Sequence, residues 1–109
     1  MTPFGGGLGG HGEVCGAVIG GLAVIGLLFG RDKIGEDDVK VWTYSRELLR
    51  RFKKEIAGGS ILCRDIAQTN WADPAQVKEY GQGEKFLKCK TLAGETAELI
   101  GELIERAKP

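Results

Sequence analysis

The sequence has three cysteines, Cys15, Cys63 and Cys89, and none of them is close to another. No C-x-x-C occurs, which removes the thioredoxin-type redox motif and the zinc ribbon, and no C-x-x-C-H occurs, which removes covalent haem attachment. An odd number of cysteines also excludes a complete set of internal disulfides. With His11 as its one histidine, the chain offers no basis for a serine–histidine–acid triad. An excess charge of one sign is missing too. Fifteen basic residues balance fifteen acidic ones, so no net field recruits nucleic acid or an anionic membrane surface. No positively charged stretch precedes the first apolar run, and glycines interrupt that run, which argues against a secretory signal. The expected location is therefore cytoplasmic, where thiols stay reduced or bind metal. The stretch from Val14 to Phe29 is wholly apolar or glycine and has 16 residues. A membrane-spanning helix needs about 20, so no membrane insertion is expected.

Glycine, with 18 residues, is abundant, and most of the excess precedes Arg31. The 109 residues suit one domain with a modest core, and hydrophobic periodicity divides it into three blocks. Residues 1–30 are a glycine-rich loop followed by an apolar helix, whose glycines at 16, 20, 21 and 26 leave room for close approach of another helix. Residues 36–57 are an amphipathic helix opened by Glu36-Asp37-Asp38, which suits the positive end of a helix. Val39, Trp42, Leu49, Phe52 and Ile56 form its apolar stripe, and Gly58-Gly59 stops it. Its basic cluster Arg50, Arg51, Lys53 and Lys54 reads better as a solvated face than as a phosphate site.

Residues 60–109 hold a short cysteine-bearing turn near Ser60–Ile66, a loop over 68–83, and a last helix. Thr91 is the expected N-cap of that helix, with Ala93, Ala97, Ile100, Leu103, Ile104 and Ala107 as its buried stripe. No strand and no internal repeat is recognisable. The fold class is all-α: a small helical bundle of three main helices plus one or two short helical turns.

Chemistry, where there is any, belongs to sulfur. Gly5, Gly7 and Gly10 fit G-x-G-x-x-G, as do Gly7, Gly9 and Gly12, but a dinucleotide site requires a preceding strand in a βαβ unit. The glycines fit better as a means of bringing backbone close to Cys15, or as an anion-binding turn at a helix start. Cys15 is expected in the first turn of the apolar helix, where the dipole favours a thiolate while Glu13 opposes it. His11, four residues earlier, shares a face with Cys15 if the helix extends that far, and the two could then ligate one metal. Cys63 is followed by Arg64, and Cys89 lies between Lys88 and Lys90. Positive neighbours of this kind favour thiolates where they are also neighbours in space.

Three separated elements carry a resemblance. Cys15-Gly16-Ala17-Val18-Ile19-Gly20 is similar to a C-G-A-x-x-G element. Gly59-Ser60-Ile61-Leu62-Cys63-Arg64-Asp65 is similar to G-S-x-x-C-R-D/E, and Lys88-Cys89 before a terminal helix resembles a last family cysteine. In this order they resemble the C_GCAxxG_C_C family, across essentially the whole chain. The resemblance implies a small helical protein, redox or metal-cluster roles, and Cys15, Cys63 and Cys89 as the redox or ligand positions. Family members usually begin with a further helical segment holding the first cysteine, and this chain starts just after it. Without that cover the apolar helix is expected to leave surface exposed, which predicts a homo-oligomer, most simply a two-fold dimer.

Two functional classes follow. In the first, the chain is a redox or electron-transfer accessory protein that works with a redox protein partner. Cys15 forms a reversible disulfide with Cys63 or Cys89, or the three thiolates hold an iron–sulfur cluster or zinc, with His11 or an outside group as fourth ligand. Soft thiolates rank zinc, iron–sulfur and copper(I) above magnesium or calcium. In the second, the chain is a non-catalytic interaction module whose cysteines are buried packing residues.

Overall fold

The computed structural model describes residues 2–35 and 39–107. Glu36, Asp37 and Asp38, expected to open the second helix, lie outside the described residues. After a 3-10 turn at Thr2–Phe4 come five helices: α1 (Gly16–Phe29), α2 (Val39–Arg51), α3 (Cys63–Ala67), α4 (Pro74–Gln82) and α5 (Glu84–Ala107). Among the described residues there is no strand, only an isolated antiparallel bridge between Val14 and Leu62. The fold is the all-α bundle expected from the periodicity, with α1, α2 and α5 as its main helices. Among the described residues no helix is long and apolar enough to cross a membrane.

Helix α1 buries Val18, Gly21 and Ile25, one stripe at i, i+3 and i+7. Gly21 is where its neighbours press closest. A Cβ there would stand 2.7 Å from Ile100 Cδ1 of α5 and 2.9 Å from Leu48 Cδ2 of α2. Gly26 faces open space instead, so only part of the expected glycine packing is used. The helix begins one residue later than its cysteine. Cys15 is its N-cap, in extended geometry, because the Cys15 N–H donates to Ile61 O at 2.7 Å.

Helix α2 runs into a π-helical turn at Phe52–Ile56, closed by Ala57 N–H on Phe52 O. Gly58 and Gly59 then stop it, both with positive φ. Leu48 and Phe52 are buried, whereas Val39 and Trp42 point outward. The stripe expected from Val39 to Ile56 is therefore out of phase in its first half. At about 100° per residue, Val39 lies about 180° and Trp42 about 120° round the same regular helix from buried Leu48. Arg51 binds Glu55 and Glu102, and Arg106 binds Glu47. These contacts tie α2 to α5, but at exposed positions they contribute little.

Two departures lie in the third block. Residues 74–82, expected as loop, form α4. Asp73 is its N-cap, accepting from Ala75 N–H at 3.0 Å, and Pro74 occupies the first turn, where its missing N–H costs nothing. The last helix opens at Glu84 rather than Thr91, so Cys89 sits inside it. Its buried stripe is Leu92, Thr96, Leu99 and Leu103, with Ala93 and Ala97 outward. Thr96 is tolerated in the core because its hydroxyl donates to Leu92 O at 2.8 Å.

The core has two parts. Ile25, Leu48, Leu99 and Leu103 pack one end. Val18, Phe52, Ile66 and Leu92 pack the other, with Cys15 and Cys89 lying against them.

Candidate functional site

The glycine-rich segment is a loop wound in the left-handed sense. φ is positive at Gly6, Gly7, Leu8, Gly9, Gly10 and Gly12, a path that non-glycine residues take only at a cost. Every amide from Leu8 to Glu13 donates to a carbonyl within the segment: Leu8 to Phe4, Gly9 to Pro3, Gly10 to Gly5, His11 to Leu8, Gly12 to Gly6, Glu13 to Gly7. Those donors are occupied, and among the described residues no strand lies before them. The segment therefore offers neither the free N–H array of an anion-binding turn nor the setting of a dinucleotide site.

What the loop does instead is approach the second cysteine. A Cβ on Gly7 would lie 2.5 Å from Cys63 Cβ, and one on Gly12 would lie 3.1 Å from Arg64 Cβ. Backbone hydrogen bonds fix this approach. Cys15 N–H donates to Ile61 O at 2.7 Å, Cys63 N–H to Glu13 O at 2.6 Å, and Arg64 N–H to Gly12 O at 3.2 Å. Ser60 shapes the turn before α3: its Oγ accepts from Leu62 N–H at 3.0 Å and donates to Asp65 Oδ2 at 2.7 Å. The segments carrying Cys15 and Cys63, distant in sequence, are thus held side by side. Cys89 comes to the same core cluster from the second turn of α5.

All three thiols are free. Cys15 and Cys89 are half-buried, and Cys63 is 9% exposed. Burial pushes the Cys63 thiol above its ordinary pKa. Trp71 works in the other direction as a hydrogen-bond donor, and the charges of Cys15 and Cys89 push it up again. The Trp71 indole Nε1 is buried and makes no formed hydrogen bond, so what it offers the Cys63 sulfur is a nearby N–H dipole. Tyr80 completes the surroundings. Burial first, then a side-chain hydrogen bond with Cys89 and the charges of all three cysteines, hold its phenol protonated well above the usual range.

Cys63, beside Trp71, and Cys89, beside Tyr80, therefore share an aromatic wall. Trp71 and Tyr80 meet edge to face at 4.8 Å between ring centroids, and Tyr80 meets Phe86 at 6.0 Å. Sequence reasoning passed over these three aromatics. The Asp73-Pro74 cap could have revealed them, since it starts the helix that sets Tyr80 beside the beginning of α5.

His11 is placed apart from the thiols. It stands in the loop with Nδ1 3.1 Å from Gly9 O, and it lines a cleft with Arg64 and Trp71. Among the described residues, no group of three or more His, Cys, Asp or Glu side chains is arranged to hold a metal ion. The residues therefore do not present a formed ligand set for zinc or a cluster. Of the positive neighbours expected to favour thiolates, Arg64 is 3.4 Å from Glu13 Oε2.

The three cysteine segments, in the order and with the glycine spacing described above, lie within a match to a known family. The sequence profile of the family "Putative redox-active protein (C_GCAxxG_C_C)" matches residues 1–103. The chain belongs to the C_GCAxxG_C_C family. No curated protein and no solved structure matches it. Membership places the chain in a family described as redox-active.

Proposed function

We propose that the chain is a thiol-based redox protein in which Cys63 forms a reversible disulfide with one of the two thiols beside it. The observation that carries this reading is the placement of three free thiols at one end of the core, where backbone hydrogen bonds hold the Cys63 segment against that of Cys15 and Cys89 packs against the same cluster as Cys15. Cys63 is the pivot, since both other cysteines act on it. Oxidation removes two thiol protons and two electrons, which pass to a disulfide of a partner. Reduction returns them by thiolate attack on the internal bond. The direct-thiol form is favoured over a metal or cluster form because no formed ligand set is present among the described residues.

Thiol counting after equilibration across a range of redox buffers tests the proposal. Oxidation is expected to remove two of the three thiols with a loss of about 2 Da, and Cys63→Ser to abolish that loss. Alkylation of Cys63 is expected to lag behind that of Cys15 and Cys89 at neutral pH, then to accelerate as pH climbs through its raised pKa. Three thiols that persist at every potential would favour the packing-module reading instead. Stoichiometric iron with acid-labile sulfide, or zinc, in protein purified without oxygen would replace the disulfide by a cluster or metal thiolate.

The same reading includes an assembly. Leu27, at 87% exposure, lies with Leu28 at the end of α1, and Ile34, Val39 and Trp42 extend the exposed apolar surface into the turn and α2. The chain pairs with a second copy through this end. The patch is self-complementary in chemistry, and a chain of zero net charge does not repel its copy. Sedimentation at micromolar concentration is expected to give a dimer, and Leu27→Glu a monomer; a wild-type monomer there would refute the pairing.

A further inference from the structure

A cleft of about 640 Å³ lies where the glycine loop meets α3 and the connection that follows it. Gly10 and Gly12 line it from the loop, Arg64 from α3, and Gln68, Asn70 and Trp71 from the connection. That volume suits a small molecule rather than a protein segment. No cysteine is among the lining residues, so a ligand here is a matter separate from the thiols.

The chain's own bonds fix the walls. Arg64 N–H donates to Gly12 O at 3.2 Å, which ties α3 to the loop. A Cβ on Gly12 would stand 3.1 Å from Arg64 Cβ, and one on Gly6 3.4 Å from Trp71 Cδ2. Glycine thus lets loop backbone pack against both side chains. In the connection, Gln68 takes a left-handed backbone with φ +50, which a residue other than glycine adopts at a cost. Its carbonyl accepts from Lys85 Nζ at 2.8 Å, and the neighbouring Thr69 Oγ1 donates to Ala67 O at 2.9 Å. Asn70 N–H donates to Gln76 Oε1 at 2.8 Å, and Asn70 Oδ1 accepts from Ala72 N–H at 3.0 Å. A cleft held in this way does not have to be ordered by its ligand, which favours binding.

The polar groups that remain are mainly donors. Asn70 uses Oδ1 within the chain and keeps its amide N–H groups. Arg64 makes only a long contact, 3.4 Å to Glu13 Oε2, and its side chain is 55% exposed, so donors of its guanidinium are left for a ligand. Lys85 adds a second positive charge next to Gln68. Among the described residues no Asp or Glu lines the cleft. His11 lines it and donates Nδ1–H to Gly9 O at 3.1 Å. The indole of Trp71 supplies an apolar wall beside these donors.

We infer that this cleft binds a small carboxylate with a flat apolar body, its carboxylate on the Arg64 guanidinium and its body against Trp71. A planar guanidinium matches a carboxylate with two parallel hydrogen bonds, which an ammonium does not. Glu13 is the internal competitor that such a ligand displaces.

Benzoate, benzamide and benzamidinium share one size and shape and are anionic, neutral and cationic, so together they test the site. Each is titrated into the isotope-labelled full chain while its amide and indole N–H resonances are followed. Benzoate is expected to shift the Gly10, Gly12 and Asn70 amides and the Trp71 indole, leaving that of Trp42, which does not line the cleft, in place. Its Kd is expected to lie about tenfold below that of benzamide, the difference between a charge-assisted and a neutral hydrogen bond, with benzamidinium weaker still. The chain carries no net charge, so such a preference is local. Arg64→Met is expected to bring the benzoate-to-benzamide ratio to about one, and Arg64→Lys to restore part of it. Glu13→Gln is expected to tighten benzoate by up to about fivefold, since it removes an exposed pair, without changing benzamide. Equal affinities for the three compounds, shifts centred on other residues, or no saturation by benzoate at about 10 mM would each overturn the inference.

Discussion

Replacing Phe52 by alanine is expected to destabilise the fold by about 3–5 kcal/mol, the cost of removing a large aromatic from a packed interior. Phe52 is 0% exposed. It opens the π-helical turn after α2 and packs with Val18 of α1, Ile66 of α3 and Leu92 of α5, so four parts of the chain meet on one ring. A cavity left there cannot collapse easily, since each wall belongs to a different element. Cys15 and Cys89 lie against this same cluster, so the loss carries through to the thiols. Phe86→Ala is the matched comparison. Its ring is 46% exposed and makes one aromatic contact, with Tyr80, for which about 1 kcal/mol is expected. Urea denaturation with unchanged slope measures both differences, and alkylation of Cys63 in the Phe52 variant is expected to accelerate in parallel. A Phe52→Ala loss no greater than that of Phe86→Ala would mean that the thiol end of the molecule is not built on this ring.

The helices that hold this core are readable where one period runs unbroken. The apolar stretch Val14 to Phe29 and the glycine stop at Gly58-Gly59 are local signals, and α1 and the end of the second block follow from them. The π-helical turn is not local in that sense. Val39 and Trp42 point outward for a separate reason: they lie away from the Leu48 side of regular α2. Helix α4 was legible in principle: an Asp-Pro pair is a strong start signal, and here Asp73 caps and Pro74 opens the helix. The density of Asn70, Gly81 and Gly83 around it outweighed that signal. The opening of α5 was obscured in the same way, because Thr91 offers a plausible cap although the chain is already helical from Glu84.

The cysteines themselves were identifiable from the three family elements, but their convergence was not. It depends on a register between residues 13–15 and 61–63, which is a long-range pairing with no periodic trace. The aromatic wall depends in turn on α4, so missing that helix meant missing Tyr80 beside Cys89. His11 shows the opposite case. Its spacing from Cys15 implied a shared helical face, and the left-handed loop removes the helix on which that spacing relied.

That loop makes Gly7 the residue on which the site is expected to depend most directly. At φ +69 an alanine is disfavoured by about 1–2 kcal/mol whatever surrounds it. Its Cβ would also stand 2.5 Å from Cys63 Cβ, 2.6 Å from Glu13 N and 2.8 Å from Glu13 O. None of these is the far end of a flexible side chain, so relief requires the backbone to separate, at roughly another 1–3 kcal/mol. Gly58→Ala isolates the first contribution, because Gly58 has nearly the same φ, +71, with nothing within 4 Å of the added carbon. The expected result is a loss of about 2–5 kcal/mol for Gly7→Ala against about 1–2 for Gly58→Ala. Only the Gly7 variant is expected to alter the thiols, since separation there breaks the Cys63 N–H bond to Glu13 O and draws Cys63 away from Cys15. Its Cys63 is then alkylated faster, and its disulfide yield falls in the same redox buffers. Equal losses in the two variants, with unchanged Cys63 reactivity, would show that the loop does not set the position of Cys63, and the convergence of the thiols would need another cause.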